Sequence, residues 1–83
     1  MSSHTIIHNP ITHRFELEGY EDKAFLAYRW INEPSEIDYY HTEVAPELGG
    51  QGIGKKLALF ALNYAKEHGI KVKATCPFVA RLM

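Results

Sequence analysis

Chemistry in this chain could fall to Cys76, His41 and Glu43, and to the glycine-rich run Glu47-Leu48-Gly49-Gly50-Gln51-Gly52-Ile53-Gly54-Lys55-Lys56. Glycines at 50, 52 and 54 let backbone N–H groups turn toward one point with no side chains in the way. A helix that starts directly afterwards adds its own free N–H groups and the positive end of its dipole. Such a corner between a strand and a helix binds phosphate or pyrophosphate. The plain alternative is a turn that binds nothing; the adjoining helix and the two lysines favour a ligand. Two common phosphate loops fail on residues. The G-x-x-x-x-G-K pattern runs from Gly49 to Lys55, but Lys56 stands where Ser or Thr must hold magnesium. The dinucleotide fingerprint G-x-G-x-x-G, begun at Gly50, needs glycine where Lys55 stands.

Cys76 lies between a short apolar strand pattern and Pro77, a helix-start signal. A thiol there feels the positive end of a helix, and Lys71 and Lys73 are close in sequence; both effects lower its pKa toward the nucleophilic thiolate. A quiet, buried cysteine that caps the helix is the competing reading. His41 sits within a strand pattern and is suited to accept a proton near neutrality, unless it is a satisfied core histidine. Glu43, two residues on, shares its face and could orient His41 or act as base itself; otherwise it is a solvated carboxylate. His4, His8, His13 and His68 fall near element ends or in exposed patterns and receive no role. A metal site built on the single cysteine would need partners from scattered places, so none is assigned.

The elements that must position these groups are readable in outline. Thr5–His8 and His13–Leu17 read as strands. Lys23–Ile31 is a central strand, with Ala24, Leu26, Tyr28 and Trp30 on one face and Phe25, Ala27 and Arg29 on the other. Ile37–Val44 is the next, with Ile37, Tyr39, His41 and Glu43 expected on one side and Asp38, Tyr40, Thr42 and Val44 on the other. Pro46 stops regular pairing at Ala45-Pro46. From Gly52 the period changes: Ile53, Leu57, Phe60, Ala61 and Tyr64 form a helical stripe, and Gly69 is the stop. Ile70–Thr75 is a short strand, parallel to the one before the helix. The fold class is therefore α/β (α+β): a mostly antiparallel sheet with one crossover helix over Gly52–His68.

The chain has 83 residues, 46 % of them apolar, with five Tyr, four Phe and one Trp. That suits one packed domain spanning 1–83 and excludes large doubly wound or barrel enzymes. Net charge is −1, yet residues 1–48 carry three cations against nine acids, and residues 49–83 six cations against Glu67 alone. The basic half begins at the glycines, which suits an anionic ligand. No aromatic-basic ladder accompanies it, so nucleic acid is not an expected partner. There is no apolar run of membrane-spanning length and no signal-like N-terminus, so a cytoplasmic location with no membrane partner is expected. A single cysteine forms no internal disulfide.

Four spaced blocks give the chain a resemblance: His41-Thr42-Glu43-Val44; Leu48 to Lys55; Tyr64-Ala65 before Gly69; and Lys71-Val72 followed by Cys76-Pro77-Phe78-Val79. Together they resemble the GNAT superfamily of acyl-CoA-dependent N-acetyltransferases, and more closely its small, YjdJ-like branch of minimal acetyltransferases. Gly52 and Gly54 match the last two positions of the superfamily's Gln/Arg-x-x-Gly-x-Gly/Ala motif, whereas Gly49 stands where Gln or Arg is usual. The resemblance implies acetyl-CoA, as co-substrate, in a cleft between two splayed parallel strands. Val44 and the rest of the first strand would meet the pantetheine arm. Amides from Gln51, Gly52, Ile53, Gly54 and Lys55 would hold the pyrophosphate, with Lys55 or Lys56 near the adenosine phosphates. It also implies transfer of acetyl to a primary amine, small molecule or peptide, either directly with His41 or Glu43 as base or through an acetylated Cys76. Many members place a tyrosine on the helix after the second strand; here that segment reads Phe78-Val79-Ala80-Arg81-Leu82. A CoA-binding module without turnover is the alternative, and a monomer or weak dimer is expected.

Overall fold

In a computed structural model, which describes residues 5–83, five strands form one sheet in the order of the chain. They are β1 (Ile6–Asn9), β2 (Arg14–Leu17), β3 (Ala24–Asn32), β4 (Glu36–Val44) and β5 (Lys71–Ala74). The first three pairings are antiparallel, and β4–β5 is parallel. A parallel neighbour needs a crossover, supplied by α1 (Ile53–Glu67) lying across one face of the sheet. A short 3-10 turn at Pro46–Leu48 links β4 to α1, and α2 (Pro77–Ala80) follows β5.

The bounds of α1 have local causes. Gly52 caps its start with φ +70°, and Gly69 takes φ +66° just past its end, in the left-handed region that glycine enters without strain. Its buried residues are Ile53, Leu57, Ala58, Ala61 and Ala65. The expected stripe is thus turned: Phe60 is exposed and Tyr64 only half buried, while Ala58 and Ala65 take the centre. Alanine sits where the helix lies closest to the sheet, because a ring does not fit there. Phe60 and Tyr64 instead set their ring edges against Phe15 from the side.

Beneath α1 the sheet offers Phe15, Leu17, Leu26, Tyr28, Ile37 and Tyr39, all buried. The Tyr39 hydroxyl donates to the carbonyl of Ala61, tying β4 to the helix. The strand β3 alternates as its sequence predicts. The strand β4 does not. Tyr28 pairs with Tyr39 but Ala27 pairs with His41, so Tyr40 is an extra residue in the ladder. Such a bulge reverses every side chain beyond it. Opposite Leu26 and Ala24, Thr42 and Val44 face the helix side; opposite Ala27 and Phe25, His41 and Glu43 face the outer side. The expectation that Ile37, Tyr39, His41 and Glu43 share one face is therefore corrected.

Among the described residues no helix is long and apolar enough to cross a membrane. The packing yields a direct expectation. Leu57→Ala, at a position with no exposure, should cost roughly 2–5 kcal/mol in urea denaturation. Leu59→Ala, at an exposed position on the same helix, should stay within about 0.5 kcal/mol.

Candidate active site at the parting of strands β4 and β5

The strand β5 is paired to β4 over four residues, Glu36–Tyr39 against Lys71–Ala74, and then leaves it. Beyond Tyr39 the strand β4 runs on to Val44 beside β3 alone. The Ala45 amide donates to the carbonyl of Lys23, the residue just before β3, at 2.7 Å. By the alternation of a strand, the main-chain groups of Val44 and Thr42 point the other way, into the opening. Backbone donors and acceptors so placed require a partner other than the sheet.

At the far end of this opening lies the glycine corner. Val44, Leu48, Gly49, Gly50, Gly52, Ile53, Gly54, Lys55 and Phe78 line a cavity of about 330 Å³. Gln51 and Lys56, both exposed, flank it. Gly50 and Gly52 take φ of +76° and +70°, and a Cβ on either would meet only open space, so these two glycines serve backbone direction. At Gly54 a Cβ would stand in ordinary contact, 3.4 Å from the Phe78 ring and 3.6 Å from Val44, so a larger side chain there would press on that wall. The first bond of the helical ladder here runs from the Lys56 amide to the Gly52 carbonyl. The six amides from Gly50 to Lys55 donate to no protein acceptor among the described residues. A donor-rich pocket at a helix start, with Lys55 at its rim, suits an anion.

Cys76 stands where the strands part. Its amide donates to the Tyr39 carbonyl at 3.0 Å, and its Sγ lies 3.6 Å from the Thr42 hydroxyl. The residue is 7 % exposed. Burial pushes the thiol up, but the Val79 amide, the Thr42 hydroxyl and the amides of Phe78 and Thr42 together pull it below its ordinary value. No side-chain capping hydrogen bond of ordinary geometry joins Sγ to α2, so the competing reading of Cys76 as a helix cap is not met. His41 and Glu43 are half exposed on the outer face, joined by a 3.1 Å hydrogen bond. The structure thus sets Thr42, not His41, beside the sulfur, a contact hidden from the sequence by the Tyr40 bulge.

The unassigned histidines also gather, except His4, which lies outside the described residues. His8, His13 and His68 line a cavity of about 460 Å³ with Tyr28, Trp30 and Tyr64, where the sheet meets the end of α1. The His8 Nε2 lies 2.7 Å from the Tyr28 hydroxyl. Burial, with the charges of His68 and His13, holds His8 below its usual range. Among the described residues no group of three or more His, Cys, Asp and Glu side chains is placed to hold a metal ion.

These contacts set a measurable thiol acidity. The pH midpoint of Cys76 alkylation should lie below that of a free cysteine, and Thr42→Val should raise it, because the hydroxyl no longer steadies the thiolate.

Comparison with known proteins agrees with this geometry. The family model for GCN5-related N-acetyl-transferases matches residues 14–83. Protein NATD1 of Xenopus tropicalis is 34 % identical over 65 residues, covering 78 % of this chain and 59 % of that protein. The human protein NATD1 is 35 % identical over 65 residues, covering 78 % and 57 %. The chain therefore spans less than two thirds of the length of these relatives. A solution structure of a GCN5-like protein from Staphylococcus aureus superposes with a TM-score of 0.71 at 33 % identity, over 99 % of this chain and 79 % of that one. The chain belongs to the GCN5-related N-acetyltransferase family.

Proposed function

We propose that this protein transfers an acetyl group from acetyl-CoA to a primary amine. The observation that carries the reading is the opening between β4 and β5 with bare amides at its glycine end. Acetyl-CoA, the usual co-substrate of the family, matches that opening part by part. Its diphosphate fits the amides of Gln51, Gly52, Ile53, Gly54 and Lys55, with Lys55 and Lys56 adding positive charge. Its pantetheine amides fit the main-chain groups of Val44 and the carbonyl of Thr42. Its thioester then falls near Cys76 and Thr42, at the paired end.

In the chemical step the Cys76 thiolate attacks the thioester carbonyl, and the carbon–sulfur bond to CoA breaks. CoA leaves as a thiolate and takes a proton from solvent. His41, steadied by Glu43, removes the proton of the incoming ammonium from the outer side of β4. The free amine attacks the acetyl-cysteine, the carbon–sulfur bond to Cys76 breaks with the sulfur leaving as the thiolate, and the nitrogen gives its second proton to solvent as the amide forms. The lowered pKa of this thiol helps it in both directions, by keeping more of it as the attacking thiolate and by making it a better leaving group.

Incubation with acetyl-CoA followed by intact-mass measurement should show one added acetyl group, absent in Cys76→Ala. CoA release with an amine panel should rise with pH as the thiolate forms. Unmodified protein that still turns over would replace the cysteine carrier by direct attack. CoA binding without turnover for any amine would make the protein a binding module. Gly54→Val, which drives a side chain toward Phe78 and Val44, should weaken CoA in calorimetric titration by roughly tenfold, about 1.4 kcal/mol.

A further inference from the structure

The carboxylate of Asp38 is fully buried on the outer face of β4, and the chemistry above makes no use of it. Its four contacts reach across to the end of β5. Oδ1 accepts the Thr75 amide at 3.2 Å, and Oδ2 accepts the Thr75 hydroxyl at 3.0 Å. The Arg29 guanidinium adds Nε and an Nη to Oδ2, both at 3.0 Å. Every buried side-chain polar atom among the described residues is partnered, this carboxylate included.

The consequence lies in the ladder. Tyr39 pairs with Ala74, so regular parallel bonding would bring the next amide, that of Thr75, to the Tyr39 carbonyl. The Cys76 amide occupies that place instead. One residue has been drawn out of the ladder, and it is the one that Asp38 holds. Without that hold the Thr75 amide has a ready acceptor in Tyr39, β5 stays paired one residue longer, and Cys76 is carried past Thr42.

We infer that Asp38 is a positioning residue: it holds Thr75 out of the parallel ladder, and thereby sets both where β5 leaves β4 and where the Cys76 sulfur stands. The inference rests on the reading of this opening as the acyl-CoA site only for its effect on turnover; the placement of Cys76 stands apart from it. Arg29 completes the device. Its charge offsets the burial that pushes the carboxyl up, and with the Thr75 hydroxyl and amide it keeps Asp38 ionised, below its ordinary pKa. The folded protein thus gains from this carboxylate fully above about pH 4, and loses the gain as pH falls through the lower folded value.

The test compares wild type, Asp38→Ala, Asp38→Asn and Thr75→Val. The first readout is the pH profile of Cys76 alkylation, which needs no turnover; the second is KM for acetyl-CoA against kcat. Asp38→Ala should move the alkylation midpoint up toward a free thiol. It should also raise KM by roughly tenfold, the scale of a lost hydrogen bond to a charged group. Asp38→Asn keeps an oxygen for the Thr75 amide and should recover most of both. Thr75→Val, which removes the hydroxyl bond alone, should fall between and decides the matter if Asp38→Ala does not fold. Folded Asp38→Ala with unchanged midpoint, or Thr75→Val identical to wild type where Asp38→Ala is unfolded, would overturn the inference. A wild type that never releases CoA, together with a shifted alkylation midpoint in the variants, would sink the transferase reading and leave this one standing.

Discussion

A parallel strand pair that is bonded for four residues and then parts leaves main-chain donors and acceptors facing a gap. In a protein this small, that is a costly arrangement unless something fills it, because each unpaired backbone group forgoes a hydrogen bond that water or a ligand must replace. The rest of the molecule can be understood as holding that gap open. The sheet fixes β4 on its other edge through eight pairs with β3. The crossover α1 anchors β4 through the Tyr39–Ala61 bond and delivers its start, with its bare amides, to the far end of the gap. Asp38 and Arg29 hold the near end apart.

Polarity is arranged along the opening in the same sense. At the glycine end there are amides and lysines, which suit phosphates. Phe78, Val44 and the missing side chain of Gly54 form an apolar wall beside it. At the closed end stand a thiol with lowered pKa and a hydroxyl, the groups suited to a reactive carbonyl. An elongated ligand with a charged head, an amide-bearing arm and a thioester tip matches that order.

Much of this was legible in residues alone. Gly52 and Gly69 mark α1 to within a residue because a left-handed backbone is a local property, written in the glycine itself. The alternation of Ala24, Leu26, Tyr28 and Trp30 is also local and survives folding. The faces of β4 were misread because the Tyr40 bulge arises from pairing with β3, which no single-strand pattern contains. The stripe on α1 was misread for a related reason. Large side chains read as core, but closest approach to the sheet favours Ala58, Ala61 and Ala65, and it is visible only when both surfaces meet. The partners of Asp38 were not legible, because Arg29 and Thr75 are 9 and 37 residues away in sequence. The gathering of His8, His13 and His68 was hidden by distance along the chain in the same way.

If the opening holds acetyl-CoA, the glycine-end amides and the main chain of β4 receive one ligand together. Amide-resolved NMR titration of the labelled protein with CoA tests this directly. Concerted, saturable shifts at Gly50 through Lys55, together with Thr42, Val44 and Cys76, are the predicted result. Amides that stay unmoved at high CoA, or shifts confined to the cavity of His8, His13 and His68, would contradict it.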